Sequence, residues 1–422
     1  MPINMHYNFR TIPLSLTIPL LTTLAYGQRR PVPSGLALVG AKIYPSPNAG
    51  AIDDGVVLIM NGKIVAVGSR ATTHIPPDDS VIDCKGMTLT AAFWNCHVHF
   101  IEPKWAGADT MAAQRFNRQM EAMITSHGFA HVFDLAEFHI LNVLRIRNRI
   151  RTGDVNGPVI YTAGVPLVPP GGSPFYIAPL KLPEASDAQE AAAHVRRQID
   201  SGADAIKVWS GSPIGHGVVY MPPAVLKQIT ATAHSLGKPV FAHPTDTRGV
   251  MDAVDNGVDI LAHTAPDDHR PWSADTIRKI ITAHVALIPT LKLWKDELLK
   301  GGVTDWAHDP LETIAQRQLR DFTKAGGSVI FGTDVGYLPD YATVDEYRLL
   351  SGAGLDFSQI LAMLTTTPAT RFGQGRSTGR IAIGMDADIV LVKGDPAKDI
   401  LCLDRVAYTM LKGRIIYDSA HR

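Results

Sequence analysis

The sequence predicts an α/β protein, a (β/α)8 TIM barrel with a small β-sandwich domain formed by the N- and C-terminal segments. Two observations lead to this prediction. Strand-like apolar runs alternate with helical patterns through the middle of the chain, and short β-rich runs occur at both ends. The runs in the middle are residues 90–99, 128–135, 159–163, 205–209, 239–243, 260–263, 286–291 and 328–334. Eight such units in alternation are typical of a barrel.

Helical patterns separate these runs, most clearly at residues 188–199, 223–236 and 273–283. Gly202 and Gly237 follow two of the helices as stop signals before the next strand. An open, doubly wound sheet is the alternative arrangement of the same elements. That fold needs a glycine-rich phosphate turn after its first strand, and the HVHFI sequence at 97–101 is no such turn. The pattern therefore favours the barrel.

The two ends of the chain carry the predicted second unit. Runs typical of strands are found at residues 36–43, 56–60, 63–67, 387–392, 407–411 and 414–417. Asn61 and Gly62 form a two-residue hairpin turn between two of them, because both residues tolerate positive φ. Neither end has enough strands for its own core. We therefore expect residues 33–90 and 376–422 to form one composite β-sandwich, with residues 91–375 as the barrel.

Residues 1–27 are typical of a secretory signal peptide. An apolar run at 12–25 is too short to span a membrane, and Ala25 and Gly27 place small residues at the two positions that determine cleavage. This predicts cleavage after Gly27 and a secreted or periplasmic protein. With three cysteines in the chain, no disulfide framework is expected.

The charge balance narrows the class of partner. The chain has 40 basic and 40 acidic residues and so no net charge, which removes the general electrostatic reason to expect nucleic acid or an anionic membrane. A small-molecule enzyme fits this composition better. A homo-oligomer is compatible with the sequence, which does not specify the oligomeric state.

Polar residues at the ends of predicted buried strands are the candidate functional residues. They are His97, His99, Lys207, His243, His263 and Asp334. The two histidines one residue apart on the first strand point the same way, and the carboxyl ends of barrel strands converge on one mouth. A structural role is open for each residue alone, such as a core histidine or, for Asp334, a helix N-cap. A buried lysine is costly unless it is paired or modified. His131 lies within a strand and is expected in the core.

With these residues the chain resembles the metal-dependent amidohydrolase superfamily, most closely its imidazolonepropionase-like and prolidase-like members. The matching segments are NCHVHF at 95–100, GADAIKVW at 202–209, GKPVFAH at 237–243, NGVDILAHT at 256–264, FGTD at 331–334 and GRIAIGMDADIVLVKGDP at 379–396. Two departures occur: Asn95 stands where many relatives have Asp, and Ala91-Ala92 stands where they have Pro-Gly. We expect Asn95 to change a contact behind the metal ligands rather than the fold.

The resemblance implies a role for each candidate. His97 and His99 would bind one divalent ion with Asp334, and His243 and His263 would bind a second. Lys207 would be N6-carboxylated by carbon dioxide and would bridge the two ions, which would hold a hydroxide between them. Asp334 would accept the hydroxide proton and return it to the leaving nitrogen. Such ligands suit zinc, although manganese, iron and cobalt are also compatible.

The implied function is hydrolysis of an amide C–N bond in a dipeptide, an N-acyl amino acid or a cyclic amide. A lactonase, esterase or phosphotriesterase could use the same site, and a binding protein that has lost catalysis is the third possibility. Trp209, Arg270, Lys292 and Tyr337 lie just past predicted strand ends and are the candidates for substrate binding. Arg270 or Lys292 could hold a substrate carboxylate, and a position in surface loops without any such role is equally open for these residues.

Overall fold

The structure, a computed structural model, describes residues 35–420. The predicted signal peptide lies outside the described residues. The strands are β1 (Leu36–Ile43), β2 (Ile52–Met60), β3 (Lys63–Ser69), β4 (Ser80–Asp83), β5 (Met87–Ala91), β6 (Phe93–Val98), β7 (Phe129–Asp134), β8 (Val159–Thr162), β9 (Ile206–Trp209), β10 (Gly211–Ile214), β11 (Gly217–Tyr220), β12 (Val240–His243), β13 (Ile260–Ala262), β14 (Ala286–Ile288), β15 (Ile389–Lys393), β16 (Val406–Leu411) and β17 (Arg414–Asp418). The α-helices are α1 (Ala113–Met123), α2 (Ile140–Arg151), α3 (Ala188–Asp200), α4 (Pro223–Ser235), α5 (Thr247–Asp255), α6 (Ala274–Thr282), α7 (Leu291–Lys300), α8 (Pro310–Lys324), α9 (Val344–Gly352), α10 (Phe357–Leu364) and α11 (Thr366–Arg371).

The two ends of the described chain pair in one mixed sheet. Its strands follow the order β17-β16-β15-β5-β1-β2-β3, with β4 also paired to β1. The junction is the antiparallel pair of β5 and β15, in which Leu89 faces Leu391. Asn61 and Gly62 form the predicted hairpin turn, with φ of 51° and 77°. The expected pairing of the two ends is confirmed, whereas packing of this sheet into a sandwich stays a prediction.

Seven of the eight predicted barrel strands form two parallel sheets. One sheet has the order β6-β7-β8, and the other has the order β14-β13-β12-β9. Apolar side chains from both sheets meet between them, including Trp94, Phe133, Phe241 and Ile288. The helices predicted before β9, β12 and β14 are present as α3, α4 and α6. The alternation of strands and helices is therefore confirmed.

The predicted first strand, 90–99, is two strands. Its start belongs to β5 of the mixed sheet, and β6 begins only at Phe93, after a break at Ala92. β6 ends at Val98, so His99 lies just beyond it. The seventh strand is also shorter than predicted, because Thr290 adopts a φ of 44° and helix α7 begins at Leu291.

Residues 328–334, the predicted eighth strand, lie between the two parallel sheets without forming a regular strand. The Leu287 amide donates to Ser328 O at 2.9 Å on one side, and the Cys96 amide donates to Phe331 O at 2.7 Å on the other. Gly332 is required here, because a Cβ at this position would lie 2.4 Å from Ile288 Cγ2. Asp334 has a φ of 60°, which takes the chain out of strand geometry. Close packing and this turn explain the irregular segment.

No helix among residues 35–420 is long and apolar enough to cross a membrane. His131, expected in the core, is buried and stacks on Trp94 with ring centroids 4.4 Å apart. Its Nε2 lies 2.9 Å from Asp388 Oδ2, next to β15. The parallel sheet and the mixed sheet are joined by this contact.

Candidate metal centre

His97, His99 and Asp334 form a buried cluster where β6 ends. Asp334 Oδ1 lies 3.1 Å from His97 Nε2 and 2.8 Å from His99 Nε2. Their potential ligand atoms all lie within 4.8 Å of one another. The backbone holds the arrangement, because the Asp334 amide donates to His97 O at 2.9 Å and the His99 amide donates to Val335 O at 2.8 Å. These hydrogen bonds join the end of β6 to the segment around Asp334.

Asn95 connects the strand of the histidines to the segment of the aspartate. Its Oδ1 accepts from the backbone amides of His97 and Thr333, both at 3.2 Å, and its Nδ2 donates to Thr333 Oγ1 at 2.7 Å. The side chain is fully buried. Asp334 follows Thr333 directly, so Asn95 fixes the position of the carboxylate from behind. The expected contact behind the ligands is present here.

His243 and His263 lie on the other side of the same cluster. His243 ends β12 and His263 follows β13, and their ring centroids are 4.9 Å apart. The rings of His97 and His263 are 4.6 Å apart. The structure thus brings together all four histidines that the sequence places at strand ends.

A threonine determines which nitrogen of His263 carries the proton. The Thr290 hydroxyl donates its single proton to Pro289 O at 2.8 Å, and the same oxygen lies 2.5 Å from His263 Nδ1. Because the hydroxyl proton is already used, Nδ1 must be the donor in the second bond. His263 Nε2 therefore carries a lone pair, as a metal ligand requires.

Lys207 is buried beside the four histidines, with 1% of its surface exposed. Its Nζ lies 5.2 Å from the centre of the Trp209 ring. Burial lowers the pKa of Lys207 from 10.5 to about 7, although the nearby Asp334 charge opposes this. A substantial share of the amine is therefore neutral near pH 7, which is the form that reacts with carbon dioxide.

The protonation of the remaining residues fits divalent metal ions. Burial lowers the pKa of His97 to about 3 and the pKa values of His243 and His263 well below 6.5. Burial opposes ionisation of Asp334, but its interactions with His97 and His99 outweigh burial and hold the Asp334 pKa well below 3.8. Neutral imidazoles and an ionised carboxylate are ligands for zinc and similar ions.

The six candidate residues line one cavity. Of the predicted substrate-binding residues, Trp209 and Tyr337 line it, whereas Arg270 and Lys292 do not. Lys292 is fully buried within the protein, where Nζ donates to the carbonyls of Asp340 at 2.7 Å and Ala342 at 2.8 Å and pairs with the Asp340 carboxylate. Its expected contact with a substrate carboxylate is therefore corrected to a structural role.

Several cavity residues were not among the candidates from sequence. They include Glu137, Phe138, Phe175, Tyr176, Asp267, Trp294 and Glu297. Tyr337 donates to Glu297 Oε1 at 3.0 Å, and its ring lies 5.2 Å from that of Tyr176. Most of these residues lie in loops or on helices, where no strand periodicity indicates their direction. Only Glu137, three residues after β7, shares the strand-end position of the predicted ligands.

Comparison with known proteins agrees with this geometry. The model of the amidohydrolase family matches residues 88–416. The chain belongs to this family. Among curated proteins, the chain is 24% identical over 393 residues to the ochratoxinase of Aspergillus niger, with 81% of this chain and 78% of the ochratoxinase covered.

Solved structures share the fold of this amidohydrolase. A Xaa-Pro dipeptidase with bound methionine in its active site has a TM-score of 0.78 at 19% identity, with 92% of this chain and 100% of that chain covered. Phenylurea hydrolase B has a TM-score of 0.75 at 18% identity, with 92% and 97% covered. The predicted resemblance to the amidohydrolases is confirmed, and a prolidase-like member shares the fold.

Family membership establishes the general chemistry. The chain is a hydrolase that acts on carbon–nitrogen bonds of small molecules. Amidohydrolases generally use divalent metal ions, and the cluster of His97, His99 and Asp334 is a candidate site for one. The expectation of a metal-dependent amidohydrolase is thus confirmed at this level.

Proposed function

We propose that this amidohydrolase uses two divalent metal ions to cleave an amide C–N bond. The observation that carries the proposal is the convergence on one cavity of all six polar residues found at strand ends in the sequence, namely His97, His99, Lys207, His243, His263 and Asp334. Six buried polar side chains at one place are costly unless they serve a common purpose. This convergence also argues against a binding protein that has lost catalysis.

In this proposal His97, His99 and Asp334 would hold one ion, and His243 and His263 would hold the other. Lys207, N6-carboxylated by carbon dioxide, would be a further ligand. When bound, the ions act as Lewis acids toward the substrate carbonyl and make water a stronger nucleophile near neutral pH. Zinc is the ion that this donor set suits best.

Asp334 is the proposed proton carrier. Its low pKa keeps it ionised, and it lies beside both His97 and His99. It takes a proton from the attacking water and delivers that proton to the leaving nitrogen. Trp209 and Tyr337 contact the substrate from the cavity wall.

We further propose that the α/β region is a closed barrel and that the protein is exported. Hydrogen bonds from residues 328–334 to both parallel sheets, and from the Asp204 amide to Thr162 O at 2.7 Å between β8 and β9, support a closed barrel. The mixed sheet would then be the accompanying β-sandwich. The apolar segment at 12–25 supports export with cleavage after Gly27, which N-terminal sequencing of the exported protein would test.

A paired activity and metal assay tests the function. Purified protein is assayed for bound transition metals and for hydrolysis of dipeptides, N-acyl amino acids, anilides, lactones and chromogenic esters. We expect about two metal ions per chain and turnover of amides above that of esters. Faster turnover of esters or lactones than of amides would favour the alternative function, that of an esterase or lactonase. Protein without bound metal whose activity survives in Asp334→Asn would refute the proposal.

A further inference from the structure

Glu137 is a buried carboxyl group in the cavity that the proposed metal centre does not use. It lies three residues after β7, the strand next to β6, and lines the same cavity as His99. Only 3% of its surface is exposed. The preceding residue, Ala136, places its carbonyl 3.4 Å from His99 Nδ1. Glu137 therefore belongs to the side of the cavity that His99 lines.

One oxygen of this carboxyl group has no hydrogen-bond partner. Glu137 Oε1 is buried and unpaired, while the backbone amide of Glu137 donates to Gly164 O at 3.0 Å and so holds the residue in place. Burial, with the charge of Asp134 nearby, raises the pKa of Glu137 to about 10, so near pH 7 the group is a neutral carboxylic acid whose carbonyl oxygen can still accept a hydrogen bond. An unpaired polar atom in a buried position is unfavourable unless a ligand supplies the missing hydrogen bond.

The other charged groups of the cavity indicate what kind of ligand fits. Among the described lining residues, the acidic ones are Glu137, Asp267, Glu297 and Asp334, and Lys207 is the only lysine or arginine. Glu297 is already paired with Lys300 Nζ at 2.8 Å and with the Tyr337 hydroxyl. Lys207 is committed to the metal centre in the proposed function. Glu137 Oε1, which has no hydrogen-bond partner, is therefore available to an N–H donor of the substrate.

We propose that Glu137 Oε1 accepts a hydrogen bond from an N–H group of the substrate, so that the enzyme selects N–H-bearing amides or amines over their N-alkylated counterparts. The inference deepens the proposed function and rests on it for the identity of the cavity as the substrate site. Aromatic lining residues such as Trp209, Trp294 and Phe138 favour a ring attached to that nitrogen.

Binding of a matched ligand pair tests this inference. Acetanilide has an amide N–H, and N-methylacetanilide replaces that hydrogen with a methyl group. Calorimetric dissociation constants are measured for both with the metal-loaded wild type, Glu137→Met, Glu137→Gln and the cavity control Glu297→Gln. The ratio of the two dissociation constants is compared between the proteins, because the steric effect of the methyl group then cancels.

We expect the wild type to prefer acetanilide about tenfold or more, since a hydrogen bond to a buried acceptor has this effect. Glu137→Met should abolish the preference, Glu137→Gln should keep part of it through its amide oxygen, and Glu297→Gln should keep all of it. An unchanged preference in Glu137→Met would overturn the inference, as would equal weakening of both ligands. If Glu137→Met does not fold, Glu137→Gln decides through the same ratio.

Two further measurements separate the possible outcomes. Benzylamine binding that Glu137→Met reduces would assign the site to amines, and an effect on acetanilide alone would assign it to amide N–H groups. Hydrolysis of acetanilide is followed separately. A preserved N–H preference without any amide hydrolysis would contradict the proposed function alone, whereas hydrolysis without the preference would contradict the role of Glu137 alone.

Discussion

His99 Nε2 lies 2.8 Å from Asp334 Oδ1 although 235 residues separate them in the chain. The contact depends on a backbone crossing in which the Asp334 amide donates to His97 O and the His99 amide donates to Val335 O. A side-chain change at this point therefore acts on a preformed geometry, and its effect can be assigned to the chemistry of the site.

Asp334→Asn should remove both metal affinity and amide hydrolysis. The amide keeps the size of the side chain but loses the charge that ligates a metal and carries a proton, so we expect kcat to fall by at least about a hundredfold. Metal content and kcat are measured on the same preparation. His74→Ala, at an exposed histidine before β4, is the control and should retain both. Full activity of Asp334→Asn would contradict the role of this residue.

Lys207 should form a carbamate above pH 7 and not well below it. Its pKa of about 7 means that the ammonium form dominates at pH 6 and the reactive neutral amine at pH 8. We expect a carbamate signal in the carbon NMR spectrum at pH 8 with labelled bicarbonate, and its loss at pH 6. Lys292→Met, at the other fully buried lysine, should keep the signal, and Lys207→Met should lose it. A signal that persists in Lys207→Met would contradict the assignment.

The Lys207 amine should increase the free energy of unfolding of the metal-free protein as the pH rises from about 7 to 10.5. In this range the unfolded chain holds a proton on Lys207, whose ordinary pKa is 10.5, and the folded chain does not. Because the unfolded state binds more protons, the free energy of unfolding increases, by about 1 kcal/mol per pH unit. Urea titrations without carbon dioxide measure this, and Lys207→Met should lack the increase.

The residues of the proposed metal centre were predictable from the sequence because each is a polar residue in or just after a predicted apolar strand. In a barrel the carboxyl ends of such strands converge, which is why the sequence places these side chains together. The same reasoning placed Lys292 at a strand end, and there the prediction was wrong. β14 ends early, so Lys292 belongs to α7, from which it pairs with Asp340. A pairing between loop and helix leaves no periodic signal in the sequence.

The backbone conformation of the centre was not predictable in the same way. His263 and Thr290 have φ values of 90° and 44°, which strand patterns do not indicate. Glu137 was missed because a single carboxylate after a strand has many possible roles, and only the cavity shows that its oxygen is unpaired. Predictions from sequence thus succeed for regular elements and fail where contacts between distant loops decide the geometry.

Thr290→Val should weaken metal binding without removing any ligand. The hydroxyl that accepts from His263 Nδ1 is lost, so the imidazole no longer favours the tautomer whose Nε2 lone pair faces the cavity. Loss of such a contact costs about 10–100-fold in metal affinity. Competition with a chelator measures the change. Thr290→Ser, which restores the hydroxyl, should recover most of the affinity, and equal affinity in Thr290→Val and the wild type would contradict this role.

Asn95→Leu should lower both stability and activity, because three buried hydrogen bonds to His97 and Thr333 are lost together. The unpaired backbone amides make the free energy of unfolding fall by about 2–4 kcal/mol. Asn95→Asp keeps the acceptor oxygen for both amides, and the Thr333 hydroxyl can donate to the second oxygen. We therefore expect Asn95→Asp to retain the metal and most of the activity. Activity of Asn95→Leu equal to that of Asn95→Asp would show that these bonds do not position Asp334.

The pair of His131 and Asp388 should make the fold sensitive to acid. Burial opposes ionisation of Asp388, but the hydrogen bond and charge of His131 outweigh it and lower the Asp388 pKa from 3.8. The stability from this pair is fully present above pH 3.8 and is lost as the pH falls through the lower pKa of the folded state.

Asp388→Asn should remove this acid dependence and, at pH 7, lower the free energy of unfolding by about 3 kcal/mol, since His131 is left buried without its charged partner. Urea titrations from pH 3 to 7 measure both effects. Asp78→Asn, at an exposed carboxylate before β4, serves as the control and should behave like the wild type. If Asp388→Asn lost stability with acid as steeply as the wild type, the acid sensitivity would have to arise from other carboxylates.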